Sequence, residues 1–334
     1  MNVLLLVTHF GSWWKWRMRG SALTLATFDG WPPGLVLVSD MTDLAQFRTF
    51  ARPFLGDPPT LLYFHETQLT YPTSPTAQPD LSYGLTNWVS ACSADLVLFN
   101  SDCHREIFFQ ELPRLLRSFP DQTHEHLIDE VAGRSEVLPV GVDLFWIEPK
   151  TGPNSPPRIL WNHRWDHDKD PDAFADAVEQ LVAAGAEFEL VLLGPRPPHP
   201  PTALTRIRAA AGDRILADGE APGDLYRELV ASSDVVVSTA LQEFFGISVV
   251  EAIAAGCRPV LPNRLSYPGL IPVDHHGTVL YPEGGLVEAL TTALNEPLPP
   301  PGLQRAMARF SWDEMAPVYD QRLQQIAIDT GALP

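Results

Sequence analysis

Residues 234–260 read DVVVSTALQEFFGISVVEAIAAGCRPV and divide into a strand, a loop, a helix and a second strand. The apolar run 235–237 is typical of a short buried strand, and 247–255 carries apolar residues at helical spacing. Gly256 closes that helix before another apolar strand, 258–261. This strand–loop–helix–strand order is the repeating unit of parallel α/β sheets.

Two carboxylates flank the start of the predicted helix. Glu243 falls in the loop, Glu251 lies inside the helix, and Gly246 stands at the turn between them. The free amides near 245–248 favour an anion such as phosphate, and carboxylates accept strong hydrogen bonds from sugar and ribose hydroxyls. An isolated glutamate pair at this spacing is more often solvated, but the strand–loop–helix setting favours a ligand that joins a phosphate to a sugar.

The chain is long enough for two domains, since it has 334 residues of which 45% are hydrophobic. A linker rich in Pro, Gly and Asn at 151–157 separates the halves, so we expect domains at 1–150 and 158–310 and a final helical segment, 311–334, that crosses back to the first domain. No apolar run is long enough to span a membrane, and the N-terminal run 3–7 does not resemble a secretion signal. We expect a cytoplasmic protein with no membrane partner; the oligomeric state is not predicted.

The first half alternates strands with helices. Apolar runs at 3–7, 35–38 and 96–99 predict strands, and 83–93 predicts a helix. The pattern returns at 135–139, which indicates a parallel, doubly wound sheet. Residues 121–130 predict an exposed helix or loop.

Two polar candidates follow the strand within 59–72. His65 and Glu66 stand at its carboxyl end, where open α/β folds keep their ligands. A lone histidine is usually structural, but Glu66 could orient the ring of His65 or tune its charge. We therefore expect a catalytic role for His65 and place Glu66 on the acceptor side.

An aromatic and basic cluster occupies residues 11–20 of an otherwise acidic chain with a net charge of −18. Such a mixture can stack on bases and neutralise phosphates. The alternative, that the tryptophans fill the core and the cations cap a helix, carries equal weight. The candidate acceptor-binding residues in this cluster are Trp14, Lys15, Trp16, Arg17 and Arg19.

Two cations precede the helix that Pro171 starts. Arg164 and Lys169 lie in the loop WNHRWDHDKDP after the strand 158–161, where a diphosphate would need positive charge. They could instead pair with the aspartates at 166, 168 and 170 as a solvated cluster. We favour the diphosphate.

The segment EFFGISVVEAIAAGCRPVLP resembles the donor-binding signature of retaining glycosyltransferases of family 4. That resemblance implies that Glu243 contacts the donor sugar, that Glu251 holds the nucleotide ribose, and that the turn Phe245–Gly246–Ile247 takes the distal phosphate. It also implies that 188–223 lines the base.

A narrower resemblance, to the tRNA-queuosine α-mannosyltransferase family, rests on WWKWRMRGSAL, LLYFHETQLTYP, VLFNSDCHREIF and WNHRWDHDKDP together with 238–268. It implies two Rossmann-like parallel-sheet domains facing a cleft (a glycosyltransferase B fold), and transfer of mannose from GDP-mannose to queuosine in tRNA for aspartate with retained configuration. It implies no metal and no other cofactor, because Arg164, Lys169 and helix amides hold the diphosphate. His65 would lie beneath the donor sugar. Members usually have an opening strand–loop–helix before the position of Val3, which this sequence apparently lacks.

The acidic balance weakens the expectation of a tRNA partner. Residues 1–150 hold 10 Lys and Arg against 17 Asp and Glu, and acidic surfaces repel nucleic acid. Two alternatives therefore stay open: a glycosyltransferase with a small-molecule, lipid or glycan acceptor, and a truncated, non-catalytic protein that binds a nucleotide sugar or tRNA.

Overall fold

The computed structural model describes residues 3–6, 14–27, 33–70, 80–148, 150, 152–197 and 201–331, without the side chains of 3–6, 14–17 and 19. The chain divides into two compact units: one holds Met1–Pro139 with Ala316–Pro334, and the other holds Val140–Met315. The units change after Pro139 and Met315, whereas the predicted domains change at 150 and 310.

The first unit contains a five-stranded parallel sheet in which neighbours in sequence are neighbours in space. Its strands are β1 (Val3–Leu6), β2 (Leu35–Ser39), β3 (Thr60–Phe64), β4 (Leu96–Phe99) and β5 (Ser135–Val137). The central strand β3 is buried along its whole length, as expected for a parallel strand that helices cover on both faces.

In the described residues between these strands there are five helices: α1 (Trp14–Leu25), α2 (Leu44–Leu55), α3 (Leu81–Ser93), α4 (Asp102–Leu116) and α5 (Leu127–Gly133). Three begin at a side chain that accepts from a free amide of the first turn. Asp43 caps α2, Asp80 caps α3, and Ser101 caps α4. Asp43 and Ser101 lie shortly after β2 and β4, so the chain turns sharply from sheet to helix at these two points.

The second unit contains a six-stranded parallel sheet in the order β11–β10–β9–β6–β7–β8. Its strands are β6 (Arg158–Trp161), β7 (Glu189–Leu192), β8 (Ile215–Asp218), β9 (Val235–Val237), β10 (Arg258–Pro262) and β11 (Leu280–Tyr281). The chain moves outward from β6 through β7 to β8, then returns to the other side of β6 with β9. The order reverses between β6 and β9, which makes their carboxyl ends the topological switch point of the sheet.

The helices of this unit are α6 (Pro171–Ala183), α7 (Thr202–Ala211), α8 (Gly223–Ala231), α9 (Ile247–Ala254), α10 (Tyr267–Leu270), α11 (His276–Val279), α12 (Leu286–Asn295) and α13 (Leu303–Ala306). The apolar face of α9 packs with β9 and β10 in one continuous core. The strands and helix predicted from 234–260 are all present, and the two parallel sheets confirm the prediction of two parallel-sheet α/β domains.

The final helix, α14 (Trp312–Asp329), starts in the second unit and continues in the first. In the first unit, its Tyr319 hydroxyl donates to the Tyr63 hydroxyl over 3.1 Å. Arg322 forms a two-pronged ion pair with Glu136 of β5. The helix thus carries the chain back to the first sheet through specific polar contacts.

A buried ion pair fixes the segment that leads into the second sheet. The Asp234 carboxylate, 1% exposed, accepts from Lys150 Nζ at 2.6 Å and from the Arg158 amide at 2.7 Å. The Asn154 amide and side chain donate to the same carboxylate. Burial alone would raise the pKa of Asp234, but these donors outweigh it and lower the pKa below its usual value.

Asp234→Ala is expected to destabilise the second unit by about 3–5 kcal/mol, because it leaves the Lys150 ammonium without its buried partner. Since the folded pKa of Asp234 is depressed, its stabilisation is present at neutral pH and is lost as pH falls through that pKa. Thermal unfolding should show the deficit of the variant shrinking in acid. Asp224→Ala, which removes a fully exposed aspartate of the same unit, is the control; equal losses in both variants would contradict the argument.

Candidate functional site

The loops that follow β6 and β9 meet at the switch point of the second sheet. Thr239 Oγ1 donates to the backbone oxygens of Lys169 and Asp170, at 2.6 and 2.9 Å. The Leu241 amide donates to Asp168 O at 2.8 Å. These bonds hold the loop 162–170 against the loop 238–246, so the two predicted donor segments form one site.

Lys169 and Arg164 share the carboxylate of Asp168 in this site. Asp168 is 1% exposed, and its Oδ2 lies 3.1 Å from Arg164 Nη2 and 3.3 Å from Lys169 Nζ. Arg164 also contacts Asp166 at 3.2 Å, and its side chain stays 47% exposed. Asp170 has a different role, because it caps α6 by accepting from the Ala173 amide. The cations are therefore paired with Asp166 and Asp168, and Arg164 still reaches solvent.

Glu243 lies directly beside Lys169. Its Oε2 is 3.3 Å from Lys169 Nζ, which also donates to Gln242 O at 2.7 Å. Its Oε1 accepts weakly from the Phe245 amide at 3.4 Å. One carboxylate is thus oriented by a buried ammonium on one side and by the turn before α9 on the other.

The turn before α9 needs a glycine. Gly246 has φ 101°, a left-handed conformation that side chains other than glycine rarely adopt. It is the N-cap residue of α9, and no side chain among the described residues hydrogen-bonds there to cap the helix. Ile247 follows with an exposed side chain, while Phe245 is buried against Phe310. The first amides of α9 remain suited to an anion.

Glu251 lies one turn into α9, half-buried. Its Oε2 accepts from the Tyr226 hydroxyl of α8 at 2.7 Å. Burial and the charge of nearby Asp143 raise the pKa of Glu251, whereas the hydrogen bond from Tyr226 and the charge of Arg227 lower it. Burial has the largest effect, so the pKa of Glu251 is above its usual value.

Two buried polar residues directly follow β6. Asn162 Nδ2 donates to Ser248 O in the first turn of α9 at 2.9 Å, while its Oδ1 has no hydrogen-bond partner among the described residues. His163 is buried as well, and burial together with the charge of Lys169 lowers its pKa to about 3. His163 is therefore neutral at physiological pH.

A separate polar cluster stands at the carboxyl ends of β2, β3 and β4 in the first unit. His65 Nδ1 and the His65 amide each lie 3.1 Å from Oδ1 of Asp40, which is buried. Asn100 Nδ2 donates to His65 O at 2.9 Å. The hydrogen bond to Asp40 makes Nδ1 the protonated nitrogen and leaves Nε2 for a ligand.

The charge state of His65 follows from these neighbours. Partial burial of the ring lowers its pKa, but the hydrogen bond and charge of Asp40 and the charge of Glu66 outweigh it, so the pKa of His65 is raised. Glu66 itself accepts from Gln68 Nε2 at 2.9 Å. The structure thus places both predicted residues at one strand end, with Asp40 as the partner of the ring.

The predicted site residues fall into three groups. Arg164, Lys169 and Glu243 are linked by direct contacts in the second unit, with Glu251 and the turn 245–247 on the adjacent helix. His65 and Glu66 lie in the first unit. The cluster Trp14, Lys15, Trp16, Arg17 and Arg19 falls in α1, where these side chains lie outside the described part of the chain.

Asp40, Asn162 and Tyr226 belong to these clusters but are absent from the predicted site. Asp40 and Asn162 could have been found, because each is a polar residue directly after an apolar strand run. Tyr226 gave no such signal, since its contact with Glu251 depends on how α8 packs on α9.

No group of three or more His, Cys, Asp or Glu suited to a metal ion occurs in the described ranges. None of the helices found there is long and apolar enough to cross a membrane.

Solved structures share this fold at low sequence identity. Sucrose-phosphate synthase from Thermosynechococcus elongatus aligns with a TM-score of 0.68 at 20% identity, over 92% of this chain and 77% of that chain. The catalytic domain of starch synthase IV from Arabidopsis thaliana, bound to ADP and acarbose, aligns with 0.65 at 13%, over 95% and 78%. Anabaena HepE in complex with UDP and glucose aligns with 0.63 at 17%, over 97% and 84%. These alignments confirm the fold of the glycosyltransferase B class.

Sequence comparison identifies the family. Residues 2–142 match the family described as tRNA-queuosine alpha-mannosyltransferase N-terminal, and residues 156–298 match glycosyl transferases group 1. A Drosophila melanogaster protein named tRNA-queuosine alpha-mannosyltransferase is 30% identical over 274 residues, which are 78% of this chain and 72% of that protein. The chain is therefore a glycosyltransferase and belongs to the tRNA-queuosine α-mannosyltransferase family.

Proposed function

We propose that this enzyme transfers mannose from GDP-mannose to queuosine in tRNA for aspartate, with retention of the anomeric configuration. The observation that carries the proposal is the contact between Lys169 and Glu243 at the switch point of the second sheet. A cation suited to a diphosphate and a carboxylate suited to a sugar are held there in one site, in a chain that belongs to the tRNA-queuosine α-mannosyltransferase family.

The donor would bind with its diphosphate near Arg164, Lys169 and the first amides of α9. Glu243 would accept hydrogen bonds from the sugar, and Glu251 from the ribose. In the structure Arg164 pairs with Asp166 and Asp168. The Arg164 side chain is 47% exposed, and Lys169 also pairs with the buried Asp168, so Arg164 can turn to a phosphate without leaving that carboxylate uncompensated.

The chemical step needs stabilisation of the leaving diphosphate. The bond from C1 of mannose to the diphosphate oxygen breaks, and a bond from C1 to an acceptor hydroxyl oxygen forms on the same face. The acceptor proton passes to an oxygen of the departing diphosphate. Fixed cations and helix amides stabilise the charge that develops there, so we propose that the reaction uses no metal ion and no other cofactor.

His65, in the first unit, would help to position the acceptor and the sugar. Asp40 fixes its tautomer and raises its pKa, so its exposed Nε2 can exchange a hydrogen bond with a sugar hydroxyl. We propose that the enzyme acts on tRNA in the cytoplasm. We also propose that the basic segment 15–19 binds the tRNA.

Incubation with GDP-mannose labelled in the sugar and with queuosine-containing tRNA tests this proposal. We expect label in the tRNA, and none when the same tRNA lacks queuosine. Label recovered only as free mannose would contradict the acceptor while supporting the donor. No turnover of GDP-mannose under either condition would contradict both.

The net charge of −18 favours a second candidate, a glycosyltransferase with a small-molecule, lipid or glycan acceptor. Free queuosine nucleoside distinguishes the two. If it accepts mannose as well as the tRNA does, the surrounding tRNA contributes nothing and the second candidate is favoured; a strong preference for tRNA supports the first.

A further inference from the structure

Glu251 of α9 accepts a hydrogen bond from a hydroxyl on a different helix. Tyr226 of α8 donates to Glu251 Oε2 at 2.7 Å. Burial raises the pKa of Tyr226 well above its usual value, and the charge of Glu251 raises it further. The phenol therefore stays protonated at all physiological pH values and can act only as a donor to that carboxylate. This leaves Oε1 of Glu251 for a ligand.

Asn162 ties this pair to the start of α9. Its Nδ2 donates to Ser248 O at 2.9 Å and lies 3.5 Å from the Tyr226 hydroxyl. Because a backbone oxygen must face the amide nitrogen, the orientation of the side chain is determined. Its Oδ1 is then a buried acceptor that meets no donor within the described chain, and buried acceptors of this kind are normally satisfied.

We propose that Tyr226 is a positioning residue for donor recognition, which fixes the Glu251 carboxylate so that it accepts from the vicinal hydroxyls of the nucleotide ribose. The inference rests on the proposed function, because it takes a nucleotide sugar as the ligand of this site. Asn162 supports the arrangement by linking Tyr226 to the helix whose amides face the diphosphate.

Tyr226→Phe removes the hydroxyl alone, so its effect should appear only when the ligand has ribose hydroxyls. We expect about a tenfold loss of GDP affinity, the size typical of a hydrogen bond to a charged group. Affinity for 2′,3′-dideoxy-GDP, which lacks both hydroxyls, should stay within about twofold of the parent protein. Equilibrium binding of both nucleotides to both proteins measures the coupling free energy between the Tyr226 hydroxyl and the ribose hydroxyls.

The pH dependence provides a second readout. Glu251 must be ionised to accept from two hydroxyls, and its raised pKa means that GDP affinity falls as the solution is acidified. The groups facing it are Tyr226, Asp143 and Arg227. Removing the Tyr226 donor raises the pKa of Glu251 further, so the loss of affinity in Tyr226→Phe should begin at a higher pH.

Ser233→Ala is the control, since it removes a buried hydroxyl just after the same helix, which donates to Leu229 O at 2.7 Å, and it should leave the affinity for both nucleotides unchanged. Equal weakening of GDP and dideoxy-GDP by Tyr226→Phe, or no weakening of either, would overturn the inference. If the parent protein prefers ADP or UDP, the proposed donor is wrong, and the same comparison with that nucleotide and its dideoxy form still tests Tyr226. If no nucleotide binds, both proposals fail.

Discussion

Arg164→Ala is expected to lower the rate of sugar transfer by about a hundredfold or more, the usual consequence of removing one fixed charge from a developing anion. Arg164 is the exposed cation of the pair, whereas Lys169 is already held by Asp168, Glu243 and Gln242 O. We expect the greater loss in kcat, because the diphosphate gains charge only as the sugar leaves. The measurement is steady-state transfer or hydrolysis of the labelled donor.

Two further variants separate charge from geometry. Arg164→Lys keeps the positive charge but loses the planar guanidinium, which can donate to two phosphate oxygens at once, so its rate should fall between those of the parent and the alanine variant. Arg206→Ala removes a partly exposed arginine of the same unit that pairs with Asp176 and Glu179 on α6, and it should leave the rate unchanged. Parent-like turnover in Arg164→Ala would refute the assignment of this loop to the diphosphate.

The positions of the site residues could be predicted because parallel strands display their carboxyl ends together. His65 and Arg164 were placed at strand ends from the apolar runs before them, and the structure has β3 end at Phe64 and β6 at Trp161. Gly246 indicated the position of the turn for a different reason: a tight strand-to-helix connection often needs a residue in the left-handed conformation, which glycine adopts readily.

Elements whose apolar faces are narrow or interrupted were not predicted. Helix α2 contains Pro53 and exposes Phe50 and Phe54, so its sequence lacks a clean helical stripe. In strand β8, residues of intermediate burial alternate with exposed ones, but its sequence ILAD does not alternate apolar with polar residues. Residues 127–133 form α5, which extends beyond the exposed helix or loop predicted at 121–130.

Pairings between distant residues could not be predicted from local pattern either. Whether Arg164 contacts Asp166, Asp168 or Asp170 depends on backbone angles, and the left-handed Asp170, with φ 48°, turns its side chain to α6 instead. The Asp40–His65 contact joins neighbouring strands and needs their register, which places Ser39 beside Tyr63. Such contacts follow from tertiary packing rather than from spacing.

Gly194→Ala is expected to destabilise the second unit by about 3–5 kcal/mol, through backbone strain and overpacking together. Gly194 has φ 99°, and a Cβ there would lie 2.1 Å from His163 O and 2.7 Å from His163 C, both backbone atoms. The end of β7 therefore passes so close to the loop after β6 that only glycine fits. Chemical denaturation of the variant measures the loss.

Gly185→Ala isolates the contribution of strain. Gly185 also has a left-handed φ, 73°, but an added Cβ would meet no atom within 4 Å, so we expect a loss of only about 1–2 kcal/mol. The clash at Gly194 is with the backbone of His163, directly before Arg164, so relieving it must move the loop that holds the cation. Gly194→Ala should therefore also weaken GDP binding in the fraction that stays folded, whereas Gly185→Ala should not. Equal stabilities of the two variants would show that the loop after β6 moves at little cost in free energy. That result would contradict a donor site held rigid by the close approach of Gly194 to the His163 backbone.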